Sequence, residues 1–248
     1  MKQTTVILIV YFTLLSFQGN AQLTVDGYTN YELSGFNVLV QNTALAAHAD
    51  RAKEAIGLLE MKLIEIAQLP MEAVKIDALK AVPIFMDWNT TAGAAQYHPS
   101  KSWLVANGYI PEKAKGVEIS NIENFINWTK QNQPYMVLHE LAHAYQHRVL
   151  KNNSTLITNA YKNAVSANLY TNILYHKGGG EQRVKASAYA LTNEKEYFAE
   201  LTEAYFGIND YFPFHKMELR KYDTIGFKAV VAIWGNHTNA KPLQKKKQ

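Results

Sequence analysis

The chain of 248 residues contains no cysteine. That excludes disulfide staples, thiolate metal ligands and lipid attachment through a cysteine behind an export signal. Long apolar runs are also missing. The N-terminal run, residues 6–15, is too short to cross a bilayer, and no later stretch is long and apolar enough to do so. No membrane span is therefore expected. Charge of one sign is scarce as well. The net charge is +4, and Lys241, Lys245, Lys246 and Lys247 supply much of the excess. A terminal lysine run is a solvated tail, here residues 241–248. No basic face with interleaved aromatics accompanies it, so no nucleic-acid partner is expected. Internal repeats and low-complexity segments are absent too. Hydrophobic residues make up 48% of the chain and charged residues 19%, enough apolar surface to bury a full core.

The N-terminus reads as an export signal, residues 1–21. Lys2 supplies the positive start, residues 6–15 the apolar stretch, and Gly19, Asn20 and Ala21 the small residues before a cut ahead of Gln22. The mature chain is expected outside the cytoplasm, secreted or periplasmic. Without disulfides it must rely on its core and on any metal it binds.

From there to residue 240 one α+β domain is expected, with strands early and helices late. Residues 23–39 read as strand, with a turn near Ser34 and Gly35. Residues 44–69 are the best helix: Ala52, Ala55, Ile56, Leu59, Leu63 and Ile66 recur on one face until Pro70 stops it. A short helix is expected near residues 72–79 and a buried strand over 82–86. Residues 89–102 read as a loop. Residues 115–120 form a further strand, either interior or an edge along which an extended peptide pairs. Helices follow over 121–129, over 135–150 behind Pro134, and over 155–169. Residues 175–189 read as a hairpin or ordered loop turning at Gly178, Gly179 and Gly180. A helix over 193–206 ends at Gly207, and the last covers 224–234.

Chemistry concentrates in His139-Glu140-Leu141-Ala142-His143. On a helix, residues four apart share a face one turn apart, so both imidazoles can grip one Zn²⁺ while Glu140 reaches a water beside it. Leu138, Leu141, Ala142, Tyr145 and Val149 put an apolar stripe beside the histidines. A catalytic zinc takes three protein ligands and keeps one position open. The third ligand is sought in Asn193-Glu194-Lys195-Glu196-Tyr197-Phe198-Ala199-Glu200. Glu196 is preferred over Glu194, because Glu200 lies four residues on from Glu196 and can accept the other ring N–H of a ligating histidine. Glu203 lies one turn further along that face. His147 extends the histidine row, but no glycine breaks the helix after His143, so it is expected in the pocket wall or on the surface.

His139-Glu140-x-x-His143, Tyr189 and Asn193-Glu194-x-Glu196-x-Phe198-Ala199-Glu200 together resemble the catalytic domain of anthrax lethal factor and the secreted Pro-Pro endopeptidases. Residues 197–214 are also similar to a group of uncharacterised exported proteins carrying the same histidine motif. The resemblance covers residues 137 to about 207. It implies a zincin-like metalloprotease domain with a small mixed sheet and an HExxH active-site helix. It also implies a role for Tyr189, seven residues before Glu196, in stabilising the reacting oxygen. The connection between histidines and glutamate is longer here, and residues 23–130 show no match. Substrate preference is therefore not carried over.

The expected function is that of a monomeric, secreted zinc metallopeptidase cutting a peptide or protein substrate. Zn²⁺ is held by His139, His143 and Glu196, and Glu140 is general base toward zinc-bound water. Two alternatives remain open: an exported binding or adhesion module with structural zinc, and a zinc amidase acting on cell-wall material.

Overall fold

The computed structural model describes residues 23–151 and 154–235. The export signal expected over residues 1–21 and the tail expected over 241–248 lie outside the described residues. The chain is α+β with a small mixed sheet. No described helix is long and apolar enough to cross a membrane.

Strand β1 (Tyr28–Leu33) turns through Ser34 and Gly35, both with positive φ, into β2 (Phe36–Gln41). Helices α1 (Asn42–Ala47), α2 (Ala49–Ala67) and α3 (Ala73–Lys80) then lead to β3 (Ile84–Met86). The long early helix is in fact two. His48 leaves helical geometry (φ −135°, ψ 41°), and its ring stacks on Trp88 at 3.6 Å between centroids. The chain continues through β4 (Gln96–Tyr97), α4 (Lys101–Ala106), β5 (Val117–Ile119) and α5 (Ile122–Gln131). Sequence reading left residues 89–102 as a loop, and a two-residue strand is too short to leave a periodic signal.

The sheet order is β1-β2-β3-β5-β4. Strands β2, β3 and β5 run parallel, and the outer pairs are antiparallel. Residues 115–120 thus lie in an interior strand, and β4 holds the edge. Register stacks Val38, Ile84 and Val117, then Val40, Met86 and Ile119, all in the hydrophobic core. The intervening row, Leu39, Phe85 and Glu118, faces the other way and is buried too. Both faces of the parallel strands are covered, as short parallel strands require.

Asp87 follows two residues after Phe85 and joins Glu118 on that second face. Lys113 donates to both, at 2.5 Å to Glu118 Oε1. His98 Nε2 lies 2.5 Å from Glu118 Oε2, and Gln96 Nε2 donates to the same oxygen at 3.0 Å. Burial alone would raise the Glu118 carboxyl, but the bonds from His98 and Lys113 prevail and lower it to about 2.

The helical half contains α6 (Met136–Arg148), α7 (Thr155–Ser166), α8 (Glu194–Phe206), α9 (Lys216–Tyr222) and α10 (Thr224–Trp234). Between α7 and α8, β6 (Thr171–Gly178) and β7 (Glu181–Ser187) form the antiparallel hairpin, turning through three glycines with positive φ. Asp223 locks α8 to α10: it accepts from Tyr197 Oη at 2.5 Å, Tyr170 Oη at 2.9 Å and Gly226 N at 2.8 Å. Gly207 does end α8, with φ −153° rather than in a left-handed turn. Its role is space, since a Cβ there would lie 2.0 Å from the Tyr135 ring. This close approach seats the end of α8 against the start of α6.

Candidate metal centre

Two helices supply the site. Helix α6 begins just after Pro134 and buries Leu138, Leu141, Ala142 and Tyr145. That stripe turns His139 and His143 toward α8, which packs across it. At the start of α8, Asn193 caps the helix by accepting from Lys195 N at 2.8 Å and Glu196 N at 3.1 Å. Glu196 therefore sits in the first turn, where the helix dipole favours an anion.

The structure brings these side chains together. Glu196 Oε2 lies 3.0 Å from His139 Nε2 and 3.1 Å from His143 Nε2. One ligand atom from each of the three residues falls within 4.8 Å of the others, the separation a single metal ion requires. Tetrahedral zinc with bonds of about 2.0–2.1 Å spaces its ligand atoms about 3.3 Å apart, so the two distances from Glu196 lie within a few tenths of an ångström of that spacing.

The bond expected from Glu200 to a histidine ring is made by Glu203. Its Oε1 lies 2.7 Å from His139 Nδ1, while Glu200 Oε2 accepts from Asn209 Nδ2 at 3.0 Å. Helix geometry explains the exchange. A residue four on from Glu196 is rotated about 40° from it, whereas one seven on is rotated only about 20° the other way and lies two turns along. Glu203 thus reaches the far side of the His139 ring while Glu196 holds the near side. The seven-residue spacing was visible in the sequence, but it did not say which turn of α8 crosses α6 at His139.

Proton counting sharpens the fit. Neutral imidazole carries one N–H. The Glu203 contact assigns it to Nδ1, so His139 Nε2 presents a lone pair to the lone pair of Glu196 Oε2. A proton on His139 Nε2 or a metal ion between them removes that conflict. A proton on His139 satisfies one contact; a divalent ion satisfies all three ligand atoms. Burial opposes charge on His139, yet Glu196 and Glu203 hold its pKa well above the ordinary histidine value. Burial likewise opposes charge on Glu196, but the two imidazoles keep it well below the usual carboxylate range. His143 Nδ1 is buried without a hydrogen-bond partner among the described residues.

The site opens into a cleft of about 390 Å³. Glu140 lines it and makes no hydrogen bond among the described residues. Tyr189 stands at the mouth, 47% exposed, its ring centroid 6.2 Å from that of His139. Burial and the Glu196 charge raise its pKa, so its hydroxyl keeps its proton at neutral pH. Glu194 points away and accepts from Thr158 Oγ1 at 2.8 Å. His147 bonds Tyr97 Oη through Nδ1 at 2.7 Å, tying edge strand β4 to α6.

Sequence reasoning missed Asp210, Tyr211, Tyr97 and Gln133, all in the cleft wall. None carries a local motif. Asp210 accepts from Gln133 Nε2 at 3.0 Å. Burial first, then the Glu203 charge, push its carboxyl up to about 7. Burial, with Asp210 and Glu203 nearby, raises Glu200 far above its ordinary value. Among the described residues, no lysine or arginine lines the cleft.

In comparisons with known proteins, no family model, curated protein or solved structure matches this chain.

Proposed function

We propose that this protein is a zinc-dependent peptidase with a zincin-like fold, exported from the cytoplasm and acting as a monomer on peptide or protein substrates. The supporting observation is the meeting of His139, His143 and Glu196, with ligand atoms close enough to share one metal ion and Glu140 beside them in an open cleft. Bound by these three residues, zinc supplies Lewis acidity toward a carbonyl and a water molecule.

The chain's own groups do the rest. Glu140 takes the proton of the attacking water and returns it to the leaving amine. The Tyr189 hydroxyl donates to the carbonyl oxygen as it gains charge. Glu203 fixes the His139 tautomer, so that Nε2 points its lone pair into the site. Structural zinc sites are closed by four protein ligands; three convergent ligands at the edge of a cleft favour the catalytic reading over a binding module.

The test pairs metal content with cleavage of a peptide library by the mature chain and its Glu140→Gln variant. Stoichiometric zinc in both, with cleavage only by the wild type, is the expected result. Equal cleavage by the variant, or wild type without zinc, overturns the proposal.

A further inference from the structure

A second pocket of about 370 Å³ adjoins the cleft and shares Trp128, Gln133 and Tyr175 with it. Its character is opposite. Lys177, Arg183 and Lys185 line it beside amide and aromatic side chains, and no carboxylate does. Strand register explains the grouping. Tyr175 pairs with Arg183 across the hairpin, and Lys185 lies two residues further along β7, so all three share one face. Lys185 Nζ sits 5.0 Å from the centre of the Tyr175 ring. Lys177 has only a long contact to Glu181 at the turn, 3.4 Å. Arg183 is exposed and has no ion-pair partner among the described residues.

This wall is fixed to the site rather than hung on a loose arm. His176 N donates to Asp210 O at 2.7 Å, and Phe212 N donates to Leu174 O at 2.8 Å. Asn132 Nδ2 donates to Tyr175 Oη at 2.9 Å and to His176 O at 3.1 Å. Gln131 Nε2 donates to Lys177 O at 2.8 Å. The hairpin that carries the cations is thereby fixed to Asp210, which lies in the wall of the cleft that holds His139.

We propose that this basic pocket is a substrate subsite that selects polypeptides carrying an acidic side chain a few residues from the cleaved bond. The inference rests on the peptidase reading. The acidic side chains Glu140, Glu196 and Glu203 in the cleft oppose a continuous phosphate backbone, which disfavours nucleic acid as the occupant. A peptide can pass its neutral backbone over them and place one carboxylate against Lys177, Arg183 and Lys185. Charges this exposed act through steering and are weakened by salt.

The experiment measures binding and cleavage separately. Three fluorescent peptides of one length, differing only in acidic, neutral or basic flanking residues, are titrated by anisotropy onto full-length mature Glu140→Gln protein, with and without zinc. The same titrations are run in an Arg183→Glu/Lys185→Glu background, with thermal melting as the check on folding. The acidic peptide is expected to bind about tenfold more tightly than the basic one, and the double reversal to invert that order. Equal binding of all three, or a preference that survives the reversal, overturns the subsite. So does a single-stranded oligonucleotide that binds more tightly than the acidic peptide. Incubating the same peptides with wild type tests the underlying reading independently: selective binding without cleavage sinks the peptidase and leaves an acidic-peptide pocket.

Discussion

Two buried charged clusters lie in this protein, one on each side of its core. Under the sheet, Asp87 and Glu118 meet Lys113 and His98, so the cluster contains its own cation. Between α6 and α8, Glu196 and Glu203 meet imidazoles, with Glu140, Glu200 and Asp210 close by and, among the described residues, no lysine or arginine lining the space. Burying charge is costly unless it is paired. The first cluster holds a lysine between its two carboxylates, although Asp87 Oδ1 is buried without a hydrogen-bond partner among the described residues. The second gathers imidazoles and a carboxylate close enough to share one metal ion. Buried charge alone therefore does not distinguish the two clusters; the first contains a lysine, and the second opens onto a cleft.

The contrast breaks most visibly in rate. Glu140→Gln keeps every ligand and removes the base, so cleavage is expected to fall roughly 10²–10⁴-fold or more while bound zinc stays stoichiometric. Parallel assays of metal content and peptide turnover check it. Next comes stability on the other side. Lys113→Met strands two buried carboxylates and is expected to cost roughly 3–5 kcal/mol in urea denaturation, with no change in zinc content. If the loss of Lys113 released the metal instead, the two clusters would not be independent.

A smaller effect is expected at Glu203. Glu203→Gln leaves the three ligands in place but weakens the hold on the His139 ring, so zinc affinity should drop roughly 10–100-fold by competition with a chelating dye. Glu200→Gln, whose carboxylate bonds Asn209 instead, should change it less. An equal loss from both would return Glu200 to the role expected from sequence. The mildest effect is on acid stability. Glu118 has its folded pKa depressed to about 2, below the ordinary value of 4.5. Its stabilising contribution is therefore present above pH 4.5 and lost as pH falls toward 2. Denaturation of metal-free protein across that window should show a steeper loss in wild type than in Glu118→Gln; parallel curves would contradict this.

Much of this architecture was legible in the sequence, for local reasons. Pro134 and Asn193 mark helix starts, and the three glycines from Gly178 mark a turn, because each acts through its own backbone. The histidine spacing put His139 and His143 on one face for the same reason. What stayed hidden depends on tertiary register. The break at His48 is set by a ring stacked on Trp88, distant in sequence. The two-residue strand β4 exists only because β5 pairs with it. The choice of Glu203 over Glu200 depends on how α8 crosses α6, which no single-helix pattern contains.

The most direct measurement is zinc titration of metal-stripped protein by calorimetry, comparing wild type with His143→Ala and Glu196→Ala. One tight site per wild-type chain, strongly weakened in both variants while Lys113→Met binds as wild type does, is the predicted result. A wild type that binds no zinc, or binds it as tightly after either ligand is removed, would contradict the assignment of a metal centre between α6 and α8.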